Sequence, residues 1–227
     1  MKSIKIAALV VSISLFSCEK EIEKAPAQTN CTMGINNHPN AAKYQRILDK
    51  FTAAGTVGVS ITIKTPEGTW SSTAGLADIP NKVTLSQCHT LGIGSISKTF
   101  ASAVILKLQD EGKLNINDLA SKYLPEEYTK NIENLDKSTI KNLLQHTSGV
   151  KEYLGINGLF NIYNQTAKAI SAKDNLKTIY GKKAQFEVGK EWVYTNSNYL
   201  ILAVIIENIT KKSAYEVITE KIIKPLG

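Results

Sequence analysis

The segment LGIGSISKTF, residues 91–100, raises the question of whether Ser95 is a nucleophile with Lys98 one helical turn after it. Spacing alone does not answer it, because a Ser-x-x-Lys match is expected about once by chance in a chain of this length. The chain contains four such matches, which begin at Ser17, Ser95, Ser138 and Ser148. The surroundings of each serine must therefore decide between them.

The residues on both sides of Ser95 favour it over the other three. Ser17 lies in an apolar N-terminal segment, Ser138 is expected to be the N-cap of a helix, and Ser148 lies in a loop. Ser95 follows a short apolar segment with two glycines, and apolar residues then recur at helical spacing up to Gly112, a typical C-cap. We therefore predict that Ser95 opens a buried helix.

This position suits catalysis, although a simpler interpretation remains. The backbone N–H of Ser95 is one of the unpaired donors of a helix N-terminus and could form half of an oxyanion hole. Lys98 lies on the same helical face, where it could accept a proton or keep a second base anionic. Alternatively, Ser95 only caps the helix and Lys98 is solvated. Residues 91–112 alone favour neither interpretation.

Composition excludes several classes of function. The chain has 227 residues, of which 43% are apolar and 21% charged, enough for one sizeable core or two small ones. Its net charge of +7 comes from scattered lysines and a single arginine, Arg46, so nucleic-acid binding is not expected. The three histidines have no metal-ligand spacing, so we expect neither a zinc site nor any cofactor.

The N-terminal residues have the layout of an export signal. Two lysines precede an apolar stretch in residues 1–17 that is too short to span a bilayer permanently. The small Ser17 before Cys18 is also similar to a bacterial lipoprotein signal, in which Cys18 becomes the acylated mature N-terminus. We therefore expect an exported protein, lipid-anchored to the cell envelope, with residues 18–40 as a polar tether. An ordinary signal peptide is the alternative.

Two further cysteines leave a choice open. Cys31 and Cys88 could form a disulfide in an oxidising compartment, or both could be free thiols, and their spacing does not decide between these states.

Periodicity predicts further elements outside the Ser95 helix. Residues 41–53 have the apolar spacing of an amphipathic helix. Alternation over residues 57–63, a turn at 66–68 and a second run over 69–76 predict an antiparallel hairpin. Residues 196–210 are apolar on nearly all faces and predict a buried helix, and residues 213–223 predict a last amphipathic one.

Several ordered motifs together resemble a known family. Residues 142–149 read NLLQHTSG, and Tyr194 and Asn196 form the only Tyr-x-Asn of the chain. With SISK, the EGKLNINDLASKYLP segment at 111–125 and the closing KPLG, the chain from about Tyr44 onward resembles the serine β-lactamase and penicillin-binding-protein superfamily, in its class C β-lactamase and D-alanyl-D-alanine carboxypeptidase branch.

The resemblance implies an α+β fold of the β-lactamase/transpeptidase type, with an all-α domain beside an antiparallel-sheet α/β domain. We expect residues 41–90 to begin the α/β domain, 91–212 to form the mainly helical domain, and 213–227 to return to the first.

The resemblance also implies roles for single residues. Ser95 would be the acylated nucleophile, Lys98 would hydrogen-bond it and share in proton transfer, and Tyr194 would be the general base. Asn196 would bind the substrate's amide side chain, and His146, in the His-Thr-Ser-Gly loop, would be structural rather than catalytic.

One family motif is missing from the sequence. The family carries Lys-Thr-Gly or His-x-Gly on a late strand that donates the second oxyanion N–H, and this chain contains no Lys-[Ser/Thr]-Gly or His-x-Gly. We therefore expect an incomplete α/β domain, without its late strands and terminal helix and reduced to a two-stranded hairpin.

Two functions follow as hypotheses. The first is a monomeric serine hydrolase that acts through an acyl-enzyme on cell-wall D-alanyl peptides, β-lactams, or small esters and amides. The second is a catalytically inactive lipoprotein that binds a cell-wall ligand or partner.

Overall fold

The computed structural model describes residues 37–155 and 171–226, and the chain divides into two compact units, Met1–Gly92 and Ile93–Gly227. The predicted signal, Cys18 and Cys31 lie outside the described residues. Among the helices of residues 37–155 and 171–226, none has the length and apolar character needed to cross a membrane.

The first unit contains a helix and a small antiparallel sheet. Helix α1 spans Ala41–Ala53, and strands β1 (Gly58–Thr65), β2 (Gly68–Asp78) and β3 (Val83–Thr84) lie in the order β1-β2-β3. Strands β1 and β2 form the predicted hairpin. The expectation of only two strands was wrong, because β3 adds a third, and its two residues are too few to give a periodic pattern.

A small core joins α1 to the sheet. Leu48 of α1 and Trp70 of β2 are buried, and the ring of Tyr44 lies 5.4 Å from that of Trp70. Ile47 and Phe51, which belong to the apolar residues at helical spacing in this helix, are 44% and 53% exposed. The predicted face of α1 is therefore only partly buried.

Cys88 of the first unit is disulfide-bonded, which excludes the free-thiol state for this residue.

The second unit begins with the predicted Ser95 helix. A 3-10 turn spans Gly94–Ile96, and helix α2 follows over Ser97–Asp110. The regular helix thus starts two residues later than predicted, as is common where a 3-10 turn forms the first turn of a helix. Gly112 has a φ of +69°, as expected after the end of α2, and its N–H donates to the Gln109 carbonyl at 2.8 Å.

Short helices follow α2. They are a 3-10 helix at Ala120–Tyr123, α3 (Glu126–Asn131), α4 (Ile140–Leu144) and α5 (Ala172–Lys177).

The predicted N-cap of α4 was one residue off. Thr139, not Ser138, caps the helix, because its hydroxyl accepts from the Asn142 N–H at 3.1 Å while Asn142 Oδ1 accepts from the Thr139 N–H at 3.0 Å. This reciprocal pair is a capping box, and Ser138 instead donates to the Asn134 carbonyl at 2.9 Å.

Helix α6, Asn196–Thr210, is the central helix of the second unit. As predicted from its apolar sequence, it is buried on several faces, through Ile201, Leu202, Val204, Ile205 and Ile206. It packs with α2, α4 and α5 around one hydrophobic core.

The chain continues into α7 (Ala214–Ile218), a π-helical turn (Thr219–Ile223) and α8 (Lys224–Leu226), with Val217 part of the same core. Helices with a small antiparallel sheet match the predicted α+β class.

Candidate active site

Ser95 lies in the 3-10 turn before α2, at the surface of the second unit. Gly94 has a φ of +52°, a left-handed conformation that glycine adopts without strain, and the Ser97 hydroxyl donates to the Gly94 carbonyl at 2.7 Å. Ser95 is exposed, so its hydroxyl is accessible from solvent. The chain therefore turns sharply just before the predicted nucleophile.

Lys98, one turn into the helix, lies against Ser95. Its Nζ donates to Ser95 Oγ at 3.1 Å and to Asn196 Oδ1 at 2.8 Å. The same Nζ lies 5.0 Å from the ring centre of Tyr194 and 5.6 Å from that of Tyr199, distances at which a cation is attracted by an aromatic face. Four side chains thus fix the position of the ammonium group.

Tyr194 completes the group around Ser95. Its hydroxyl donates to Ser95 Oγ at 2.8 Å. Burial acts to raise the pKa of the phenol, but the interactions with Lys98 and Ser95 outweigh it and hold the pKa below its ordinary value of 10.0. A phenol of lowered pKa, in contact with a serine hydroxyl, is suited to proton transfer.

The structure thus brings the four predicted site residues together. Ser95 lies in the 3-10 turn and Lys98 in the first turn of α2, whereas Asn196 is the first residue of α6 and Tyr194 lies two residues before it. The other Ser-x-x-Lys serines are placed differently. Ser138 and Ser148 are fully buried, and Ser17 lies outside the described part of the chain.

His146 packs against the aromatic rings of the site. Its ring lies 4.6 Å from that of Tyr194 and 5.3 Å from that of Tyr199. Its Nδ1 accepts from the Thr195 N–H at 3.2 Å, so the proton of the neutral ring is on Nε2. Burial and the charge of Lys98 lower its pKa, which favours that neutral form.

The rest of the His-Thr-Ser-Gly loop is held by backbone contacts. Gly149 has a φ of +69°, and a Cβ there would lie 2.0 Å from the Phe186 carbonyl oxygen, so only glycine fits. Asn134 Nδ2 donates to the carbonyls of Ser148 and Phe186 at 2.9 and 2.7 Å. The close packing against Phe186 therefore requires glycine at residue 149.

Sequence reasoning missed Glu152. Its Oε2 accepts from the Asn196 N–H at 2.5 Å and from Asn196 Nδ2 at 3.3 Å. The position three residues after Gly149 was the available signal, but a single carboxylate near a loop is too common to single out from sequence.

Within residues 37–155 and 171–226, no three His, Cys, Asp or Glu side chains come close enough to hold a metal ion.

A known protein family matches most of the chain. The model of the Beta-lactamase family matches residues 44–227 of the chain, which include every residue of the site. The chain belongs to the Beta-lactamase family. It shares with that family a beta-lactamase-like fold of helices and a small antiparallel sheet, and the family and its structural neighbours are serine hydrolases.

Individual relatives show how far the similarity extends. Protein flp of Staphylococcus aureus (strain COL) is 35% identical over 153 residues, which are 67% of this chain and 30% of flp. The putative penicillin-binding protein PbpX of Bacillus subtilis (strain 168) is 30% identical over 183 residues, which are 81% of this chain and 43% of PbpX. The chain thus spans less than half the length of these two relatives.

Among solved structures, a D-stereospecific amidohydrolase from Streptomyces sp. is similar, with a TM-score of 0.66 and 28% identity. The match covers 83% of this chain and 55% of the amidohydrolase.

Proposed function

We propose that this member of the Beta-lactamase family is an acyl-enzyme serine hydrolase with Ser95 as nucleophile, Lys98 and Tyr194 as proton-transfer residues, and Asn196 as a substrate-binding residue. The observation that carries the proposal is the convergence of the Tyr194 hydroxyl and Lys98 Nζ on the exposed Ser95 Oγ, at 2.8 and 3.1 Å. An activated nucleophile needs a base within hydrogen-bond reach and a third group that holds that base.

The proton moves as follows in acylation. Tyr194 without its proton accepts a hydrogen bond from the Ser95 hydroxyl and takes its proton as Oγ attacks the substrate carbonyl carbon. The Lys98 ammonium stabilises the phenolate before attack. As the tetrahedral intermediate collapses, the bond to the leaving group breaks, the leaving group takes the proton from Tyr194, and an ester of Ser95 remains.

Deacylation repeats these steps with water. The Tyr194 phenolate accepts a proton from water, whose oxygen attacks the ester carbonyl of the acyl-enzyme. The Ser95–acyl bond breaks, Ser95 Oγ recovers the proton and the acid product leaves.

One donor for the oxyanion can be named within the chain. The backbone N–H of Ser95 belongs to the first turn of the helical segment, where N–H groups have no partner inside the helix. Such a donor typically contributes about 10²–10³ in rate.

The substrate class that fits this site contains a carbonyl that can acylate serine. We propose D-alanyl peptides of the cell wall, β-lactams, or small esters and amides. The similarity to a putative penicillin-binding protein and to a D-stereospecific amidohydrolase supports this choice.

Covalent labelling tests the proposal. The whole chain is incubated with a fluorescent penicillin or a fluorophosphonate, and the labelled peptide is identified by mass spectrometry. We expect one label on Ser95 and none in Ser95→Ala. Ser148→Ala is the matched control, because Ser148 has the same Ser-x-x-Lys spacing but is buried. A folded sample that stays unlabelled by both probes would instead support the non-catalytic binding protein.

We also propose that Cys18 carries a lipid that anchors the chain to the bacterial envelope. The apolar segment before Cys18 and the polar residues after it support this proposal. Growth of an expressing bacterium with radioactive palmitate should label the wild-type chain but not Cys18→Ala. Equal labelling of both would overturn the anchor, and Cys31→Ala is the control for a cysteine downstream of the signal.

A further inference from the structure

Asn196 has an amide whose two ends differ in chemistry but hardly in shape. Its Oδ1 accepts from Lys98 Nζ at 2.8 Å, and its Nδ2 donates to Glu152 Oε2 at 3.3 Å. If the amide were rotated by 180°, its NH₂ group would face the ammonium and its oxygen would face the carboxylate. Both contacts would then be repulsive, so Lys98 and Glu152 select the same orientation of the amide.

Glu152 is itself held in place. Its Oε1 accepts from the Leu154 N–H at 2.7 Å, and its Oε2 accepts from the Asn196 N–H at 2.5 Å. Asn196 is the first residue of α6, a helix of 15 residues, so the carboxylate occupies the helix N-terminus, where negative charge is favourable.

Ser197 adds a second connection between the same two segments. Its hydroxyl donates to the Lys151 carbonyl at 2.6 Å and accepts from the Tyr153 N–H at 2.9 Å. The residues on either side of Glu152 are thus bound to the first turn of α6. Movement of the Glu152 backbone away from Asn196 would break these contacts as well.

We propose that Glu152 is a positioning residue of the hydrolase site, which orients the Asn196 amide so that Oδ1 faces Lys98 and holds the ammonium against Ser95. This inference rests on the proposed function of Ser95 and assigns a role to a residue that does not itself contact Ser95 in the proposed reaction. A carboxylate suits this position beside Asn196, because only an acceptor without donors excludes the rotated amide.

The charge of Glu152 has a further effect that can be measured separately. Tyr194 lies against Lys98 of α2 and the ring of His146, and the charge of Glu152 also acts on it. Lys98 lowers the pKa of Tyr194, whereas Glu152 raises it. Removal of the Glu152 charge should therefore lower the pKa of Tyr194 further, an effect that a merely structural role would not produce.

The test compares Glu152→Gln, Glu152→Ala and the matched control Glu191→Gln, which removes one negative charge from an exposed residue near Tyr194 in sequence. We expect Glu152→Ala to slow Ser95 acylation by a fluorophosphonate about 10–100-fold, as misplacement by about 1 Å can do. In Glu152→Gln the amide oxygen of residue 152 can still accept from the Asn196 N–H, so acylation should slow less than in Glu152→Ala. The rise of the acylation rate with pH should move to lower pH, because the charge that raises the Tyr194 pKa is gone. Glu191→Gln should match wild type.

A second readout does not need activity. The ¹³C resonance of the Tyr194 ring, assigned through Tyr194→Phe, reports its pKa directly in each variant. A lowered pKa in Glu152→Gln supports the inference. An unchanged Tyr194 pKa together with unchanged Asn196 side-chain NH₂ resonances in Glu152→Gln, or wild-type acylation in a folded Glu152→Ala, overturns it. If wild-type Ser95 does not react at all, the proposed function fails. The role of Glu152 is then decided by the Tyr194 ring resonance and the Asn196 side-chain NH₂ resonances alone. If both are unchanged in Glu152→Gln, the role of Glu152 is overturned.

Discussion

Tyr194 and Ser95 are 99 residues apart in the sequence, and the Tyr194 hydroxyl lies 2.8 Å from Ser95 Oγ. Two other contacts between the same pair of helical segments hold this distance. Lys98 donates to Asn196, and the hydroxyls of Ser102 and Tyr199 lie 3.0 Å apart. Because α2 and α6 also pack through a shared buried core, the geometry at Ser95 follows from the packing of the second unit.

Removal of the Tyr194 hydroxyl should abolish most of the reaction. Tyr194→Phe keeps the ring that lies against His146 and Lys98 but loses the group that would accept the Ser95 proton. General-base catalysis typically contributes about 10²–10⁴-fold, so acylation by a fluorophosphonate should slow by that factor. The control is Tyr215→Phe, since Tyr215 is 75% exposed and lies in α7. A rate for Tyr194→Phe within about threefold of wild type would contradict the assignment.

Acylation should rise with pH because Tyr194 must lose its proton to act as base. The pKa of this phenol lies below its ordinary value of 10.0, so the midpoint of the rise should lie below that pH. Lys98→Met removes the charge and hydrogen bond that lower this pKa, which should move the rise to higher pH. Lys98→Arg keeps the charge and is the control. Pre-steady-state acylation rates between about pH 5 and about pH 12 give both midpoints, and equal midpoints for wild type and Lys98→Met would count against the mechanism.

Local sequence pattern predicts the two helical segments that carry the site, one that opens near Ser95 and a buried one that opens near Asn196. The pattern around Ser95 and Lys98 did not decide between a catalytic and a capping role, and the roles of the four site residues follow only from the resemblance of the ordered motifs to a known family. Glu152 could not be found in this way, because its contact with Asn196 joins residues 44 apart through a loop.

Competition between neighbouring residues explains one of the smaller errors. Ser138 and Thr139 are both good N-caps, and only the position of Asn142 three residues after Thr139 completes a capping box. The start of α2 was predicted two residues early for a different reason. The 3-10 turn at Ser95 follows Gly94 in a left-handed conformation, and the periodicity of apolar residues does not indicate such a conformation.

Replacement of Gly149 should destabilise the second unit. In Gly149→Ala the new Cβ would lie 2.0 Å from the Phe186 carbonyl oxygen and 2.8 Å from Asn134 Nδ2, at a φ of +69°. Strain of this kind typically costs about 1–3 kcal/mol in the free energy of unfolding, measured by urea denaturation. Gly155→Ala is the control, because a Cβ there meets nothing within 4 Å. Equal denaturation midpoints for the two variants would show that the loop relaxes without cost.

The Glu111 carboxylate should make stability depend on pH in the acid range. Hydrogen bonds from Lys113 and Lys221 lower its pKa from 4.5 to about 2, so it binds its proton less readily in the folded chain than in the unfolded one. Its contribution is therefore fully present above about pH 4.5 and is lost as the pH falls towards 2. The difference in unfolding free energy between wild type and Glu111→Gln should shrink over that window. Glu126→Gln, whose ion pair with Lys130 is exposed, should differ little from wild type at any pH. A constant difference for Glu111→Gln across the acid range would mean that the hydrogen bonds from Lys113 and Lys221 do not lower the Glu111 pKa in the folded chain.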